Sequence, residues 1–187
     1  MKKLFPKIFQ YTNVKKGFTL IETLIAITVL MLAVTGPLVI SQKGLSAAGY
    51  AKDQMTAYYL AQDAMEYVRN VRDANVLGGA SDWLSVVSGS LSLCNATSCT
   101  IDTRPSSEAV ATCGSTCPLQ KNNTGLEFYG YGSGEPTIFT RTVRIEKPDG
   151  TTITSIDLEA KVTVVVSWQT FTGPRNITLV ENLFKQP

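Results

Sequence analysis

The chain has 187 residues, 44% hydrophobic and 17% charged, which excludes both a disordered polymer and a protein embedded in a membrane throughout. It contains no histidine, which removes the commonest general base, the Ser-His and Cys-His nucleophile pairs and the commonest metal ligand, and so argues against an enzyme. Of 17 Lys+Arg, the five at Lys2, Lys3, Lys7, Lys15 and Lys16 precede Phe18 with no acid among them, leaving 12 against 15 Asp+Glu, a net of −3, so nothing calls for a nucleic-acid partner.

Residues 18–40 read FTLIETLIAITVLMLAVTGPLVI, with Glu22 as the single charge. About 20 apolar residues span a bilayer as a helix. A basic segment ahead of such a run is a cytoplasmic flank. The run is too long for a secretory signal, and no small-residue cleavage site follows it. A carboxylate inside a bilayer is costly unless neutralised or paired. Glu22 lies five residues into the run, where snorkelling to the headgroups competes with pairing to a specific cation.

The octet Lys15-Lys16-Gly17-Phe18-Thr19-Leu20-Ile21-Glu22 resembles the processing motif of type IV prepilins and type II secretion pseudopilins. The resemblance implies a basic leader, residues 1–17, removed by a prepilin peptidase after Gly17. It implies N-methylation of the new terminus at Phe18. It also implies that Glu22 pairs with the N-terminal amine of a neighbouring subunit during assembly. An amine and a carboxylate desolvated together attract, and either left alone is costly, so such a pair would fix the axial register of subunits. Many major pilins carry a helix-kinking proline whose position would match Val39; this chain has Gly36-Pro37 instead. A proline in a helix interior removes a hydrogen bond and clashes with the preceding turn, which predicts a kink or melted turn near residues 33–37.

From Ser41 the chain turns polar but keeps helical spacing. Ala57, Leu60, Ala61, Ala64, Met65, Val68 and Val71 recur at intervals of three and four, with Asp63, Glu66, Asn70 and Asp73 opposite. Gly78-Gly79 is the stop. The helix is therefore expected from about residue 19 to 76. Residues 18–40 form its membrane or fibre-core part, and 41–77 its amphipathic continuation. The run Leu60-Ala61-Gln62 with Met65-Glu66 resembles the second helix half of minor subunits, the I-type pseudopilins and V-type minor pilins.

Residues 78–136 are rich in Ser, Thr, Gly and Asn and hold Cys94, Cys99, Cys113 and Cys117. They read as a loop-rich region with little regular structure. An even cysteine count outside the cytoplasm reads as disulfides. Three connectivities are open, with a lean to the local pairs Cys94–Cys99 and Cys113–Cys117. The rival, a four-Cys zinc site, lacks tight C-x2-C knuckles. Gly130, Gly132 and Gly134 read as a turn, since no helix follows to complete a phosphate loop.

Residues 137–187 read as antiparallel strands at Ile138–Lys147, Ile156–Trp168 and Asn176–Phe184. The turns are Pro148-Asp149-Gly150 and Thr172-Gly173-Pro174. An apolar sheet face packing on the Ala/Met/Val stripe gives an α+β fold, a long N-terminal helix on a small antiparallel sheet. The resemblance gives the same pilin fold.

Asp157, Glu159, Glu127 and Glu135 invite a calcium or paired-carboxylate reading, but no D-x-D-x-D-G loop exists, and no metal or cofactor is expected. Trp83, Tyr129, Tyr131 and Trp168 read as core before they read as a binding face. The sequons at Asn95, Asn123 and Asn176 match by chance too readily to carry weight. The reading is thus a non-enzymatic subunit of a type IV pilus-like filament. Its alternatives are a minor pseudopilin of a type II secretion pseudopilus and a filament-tip binding or adhesion module. Its partners would be other pilin or pseudopilin subunits, the prepilin peptidase and methyltransferase, an inner-membrane assembly platform and membrane lipid. It would sit as a single-pass protein of the cytoplasmic membrane with its head outside, then in an extracellular or periplasmic filament.

Overall fold

The computed structural model describes residues 17–104, 109–114, 117–122, 128–132 and 134–185. The leader residues 1–16, Asn123 and Glu127 lie outside the described residues. The chain divides into two compact units, residues 1–49 and 50–187.

Helix α1 runs Leu20–Leu77 and supplies both units. The helix continues through Gly36-Pro37, so of the kink or melted turn expected near 33–37 the melted turn does not form. Neighbouring turns retain their hydrogen bonds, and the lost donor is confined to Pro37. At the other end Ala80 N–H donates to Asn75 O (2.9 Å) and Gly79 N–H to Val76 O (3.1 Å). Gly79 takes a φ of 68°. These bonds satisfy carbonyls that the helix end would orphan, and the left-handed φ is one that only glycine adopts cheaply.

Residues 50–187 form the head. Three long antiparallel strands, β5 (Glu135–Glu146), β6 (Glu159–Thr170) and β7 (Gly173–Phe184), build a meander. Period-two alternation places Ala160, Val162, Val164, Val166 and Trp168 of β6 and Phe139, Val143 and Ile145 of β5 inside. They form one cluster with Ala57, Leu60, Ala61, Ala64, Met65 and Val68 of α1, the stripe expected from helical spacing.

The region expected to be loop-rich with little regular structure has short strands among its loops. It holds β1 (Cys99–Ile101), β2 (Val110–Thr112), β3 (Pro118–Lys121) and β4 (Tyr129–Gly130), which extend the meander to a seven-stranded sheet. The far side of β5 is shared. β3 pairs along Glu135–Thr140, and β1 pairs at Val143. Strands of two to four residues are too short to show an alternating pattern of their own. They form because β5 offers them an edge.

Disulfides join Cys94 to Cys99 and Cys113 to Cys117. The first is buried and ties the 3-10 turn Ser92–Cys94 to β1. The second closes the β2–β3 connection.

Candidate functional site

The candidate site is the start of α1. Gly17, Phe18 and Thr19 precede the helix, and Phe18 is 81% exposed. A Cβ built on Gly17 meets nothing within 4 Å, and its backbone is not in the left-handed region. The fold therefore makes no demand for glycine at position 17, and any such demand comes from outside the chain.

Thr19 caps the helix. Its Oγ1 accepts the Glu22 N–H at 3.3 Å. This is the threonine half of a Thr-x-x-Glu capping box, and an acid in the first turn is favoured by the helix dipole. The sequence reading missed this second use of Glu22, although the spacing of Thr19 and Glu22 was visible. Glu22 is exposed, and no cation among the described residues pairs with its carboxylate.

The remaining polar side chains of the apolar run are satisfied locally. Thr23 and Thr28 donate to the carbonyls of Leu20 and Ile25, both at 2.8 Å, and Thr35 to that of Met31 at 2.9 Å. A helix in hydrocarbon must meet its hydrogen-bonding needs internally. The threonines do so, and Glu22 is left as the group that needs a partner. Every side chain from Leu20 to Tyr50 is exposed, and the most apolar stretch of α1 is 0% buried.

Residues 12–36 match the family model of the prokaryotic N-terminal methylation motif. The start of the chain is thus a prepilin-type methylation motif, as carried by precursors of the type IV pilin and pseudopilin kind. No curated protein and no solved structure matches the chain. Such a motif implies processing by prepilin peptidase and association with other pilin subunits. The exposed apolar helix suits a membrane anchor that later enters a filament.

The head brings together few of the other candidates. Trp83 and Trp168 are 1% and 3% exposed, so neither belongs to a binding face. Trp83 Nε1 donates to Asp157 O at 2.8 Å. Asp157 pairs with Lys147 (3.2 Å), Glu159 accepts from Asn182 (3.1 Å), and Glu135 stands exposed. Among the described residues no group of three acids, cysteines or histidines is placed to hold a metal. The amide of Asn95 is consumed by the fold. It donates to Val86 O and Ile153 O and accepts from Ile153 N–H at 2.8 Å.

The sequence reading also overlooked Arg141, which is 0% exposed. Its Nη1 donates to Leu60 O (2.9 Å) and Asp63 Oδ2 (2.7 Å), and its Nη2 to Ile101 O (2.8 Å). One side chain of β5 thus clamps α1 and β1. The signal was present, since Arg141 falls between Phe139 and Val143 on the inward face of an alternating strand. Beside it a cleft of about 510 Å³ is lined by Thr56, Tyr59, Asp63, Arg104, Phe128 and Tyr129. Arg104 at its rim is held by Asp102 and by Tyr131 O. The Tyr131 hydroxyl is pushed above its ordinary range by burial.

Proposed function

We propose that the chain is a structural subunit of a type IV pilus-like filament, cut after Gly17, N-methylated at Phe18 and assembled through its apolar helix. The observation that carries this reading is the conjunction at the start of α1. A glycine that the fold does not require is followed by an exposed phenylalanine, then by a carboxylate with no cation partner among the described residues, at the head of an unburied apolar helix. Cleavage between Gly17 and Phe18 creates an amine four residues from Glu22. On a neighbouring subunit that amine supplies the counter-charge this carboxylate lacks, and a desolvated pair of this kind fixes register. The head carries no catalysis of its own in this reading, and before assembly it lies outside the cytoplasm, where disulfides persist, on a chain anchored in the cytoplasmic membrane.

Peptide mass spectrometry of sheared surface fibres and washed membranes tests the reading. A peptide beginning at methylated Phe18 in the fibres, at low copy, supports a minor pilin. The same peptide in membranes alone favours a type II secretion pseudopilus. A peptide beginning at Met1 or Lys2 in both fractions overturns processing altogether.

A filament-tip binding module is the second reading. It is favoured by the cleft beside Arg141, whose Phe128 is 45% exposed and whose wall includes Tyr59 and Tyr129. Loss of adhesion with normal fibre number in a Phe128→Ser variant supports it. Unchanged adhesion in that variant removes it.

A further inference from the structure

The β6–β7 hairpin ends in a two-residue connection, Phe171-Thr172, between Thr170 and its ladder partner Gly173. Phe171 at its apex is 112% exposed, the most exposed large apolar side chain among the described residues. The tip is ordered by its own bonds. Thr170 Oγ1 donates to Gly173 O at 2.8 Å and lies 3.0 Å from the Thr172 hydroxyl. Gly173, with a φ of 124°, absorbs the unusual backbone conformation. Tight hairpin turns favour Asn, Asp and Gly. Nothing in this turn's geometry therefore asks for a phenylalanine, and nothing among the described residues of the head covers it.

The tip lies at one defined end of the head. Arg175, two residues into β7, sits over the ring of Tyr50 at 5.9 Å, where α1 enters the head. Farther along β7, Glu181 engages Arg69, nearly twenty residues farther along α1. The hairpin apex is thus at the end of the head nearest Tyr50, and the residues preceding Tyr50 in the chain lead back to the apolar run. The side chains around this end are aromatic and basic. Arg175 and Lys52 are exposed cations, Tyr50 is 43% exposed, and Asp53 is the single acid between Glu22 and Asp63.

We propose that this hairpin tip is a lipid-interface contact, which lays Phe171 into the headgroup boundary of an anionic membrane while Arg175 and Lys52 meet lipid phosphates. Aromatic side chains partition to the boundary between headgroups and acyl chains. Basic side chains are drawn to an anionic leaflet within a Debye length. The contact would hold the head of an unassembled subunit in one orientation on the bilayer and would be surrendered on entry into the filament. This rests on the membrane-anchored reading above.

The test uses the full-length Phe171→Trp precursor reconstituted in vesicles of phosphatidylglycerol and phosphatidylcholine, with wild type subtracted because Trp83 and Trp168 are buried. The expected result is a blue-shifted added emission, quenched by lipids brominated near the headgroup and less by lipids brominated deep in the chain. The quenching should be lost in high salt and in the added Arg175→Gln, Lys52→Gln background. Phe171→Ser should leave thermal unfolding of the head unchanged. An added emission quenched by aqueous iodide and untouched by bromolipid, in protein that floats with the vesicles, overturns the contact while leaving membrane anchoring intact. A blue shift seen only in assembled fibres assigns the tip to a neighbouring subunit and overturns it too. Protein that does not float with the vesicles overturns the anchored reading and the contact with it.

Discussion

The two halves of α1 belong to one helix but solve opposite problems. Between Leu20 and Tyr50 the side chains are mostly apolar and all exposed. Between Ala57 and Val68 six apolar side chains are buried against a sheet the chain itself supplies. Exposed apolar surface costs roughly 25 cal/mol per Å². The second half carries its own cover, whereas the first has none within the described residues and, in the proposed function, takes it from lipid before assembly and from other helices after it. The same contrast separates the charged groups. Arg141 in the head finds acceptors within its own chain, and Glu22 in the exposed half finds no cation among the described residues. Substitutions in the exposed half should therefore change processing and assembly while sparing the head, and substitutions in the head should do the reverse.

The largest expected effect tests the exposed half. Gly17→Trp should abolish cleavage, leaving the precursor N-terminus intact by mass spectrometry, with unfolding of the head unchanged. Normal processing of this variant would place the cut elsewhere. Glu22→Ala should be cleaved normally and yet fail to enter fibres beside wild-type subunits. Wild-type incorporation would remove the pairing role.

In the head, Arg141→Met removes the cation beside Asp63, which keeps the Thr103 hydroxyl as a donor, and the guanidinium donors of the Leu60 and Ile101 carbonyls. Breaking a buried charge pair costs 3–5 kcal/mol, and because Asp63 is about half exposed the lower end, about 3 kcal/mol, is expected in denaturant unfolding. Replacing Cys94 and Cys99 with Ser together should cost about 2 kcal/mol, the loop-closure value for so short a loop. Neither change should alter cleavage after Gly17. The smallest effect is acid sensitivity. Lys161 first and Arg144 second hold the Glu146 carboxylate below its ordinary range. Thr154, with help from Lys147, does the same for Asp157. A depressed carboxylate contributes stability that is present above its unfolded pKa, about 4, and is lost as pH falls through the lower folded value. The melting temperature should fall in that window, and Lys161→Met, by bringing the folded value back toward the unfolded one, should make the fall smaller.

Legibility follows the same divide. The processing motif, the helical stripe and the three long strands are local patterns, so the residues themselves displayed them. The stop at Gly78-Gly79 was legible because only glycine takes its φ cheaply. The strands β1 to β4 were not, because two to four residues carry no periodicity and their pairing depends on β5, many residues away. Arg141 escaped notice for a different reason. Alternation along Phe139–Ile145 placed it inward, but a guanidinium is expected in the core only where acceptors wait, and those come from α1 and β1. Likewise the expected turn Thr172-Gly173-Pro174 moved back to Phe171-Thr172, since the ladder with β6 extends through Gly173.

The most direct test of the central claim, that the exposed half of α1 is covered from outside the chain, is alkaline carbonate extraction of membranes from cells making the unprocessed precursor. The account predicts that the full chain stays in the membrane pellet, and that a chain with Leu24, Ile27 and Leu30 changed together to Lys is released. Release of the wild-type chain into the carbonate supernatant would contradict it, because the apolar half would then need no membrane to cover it.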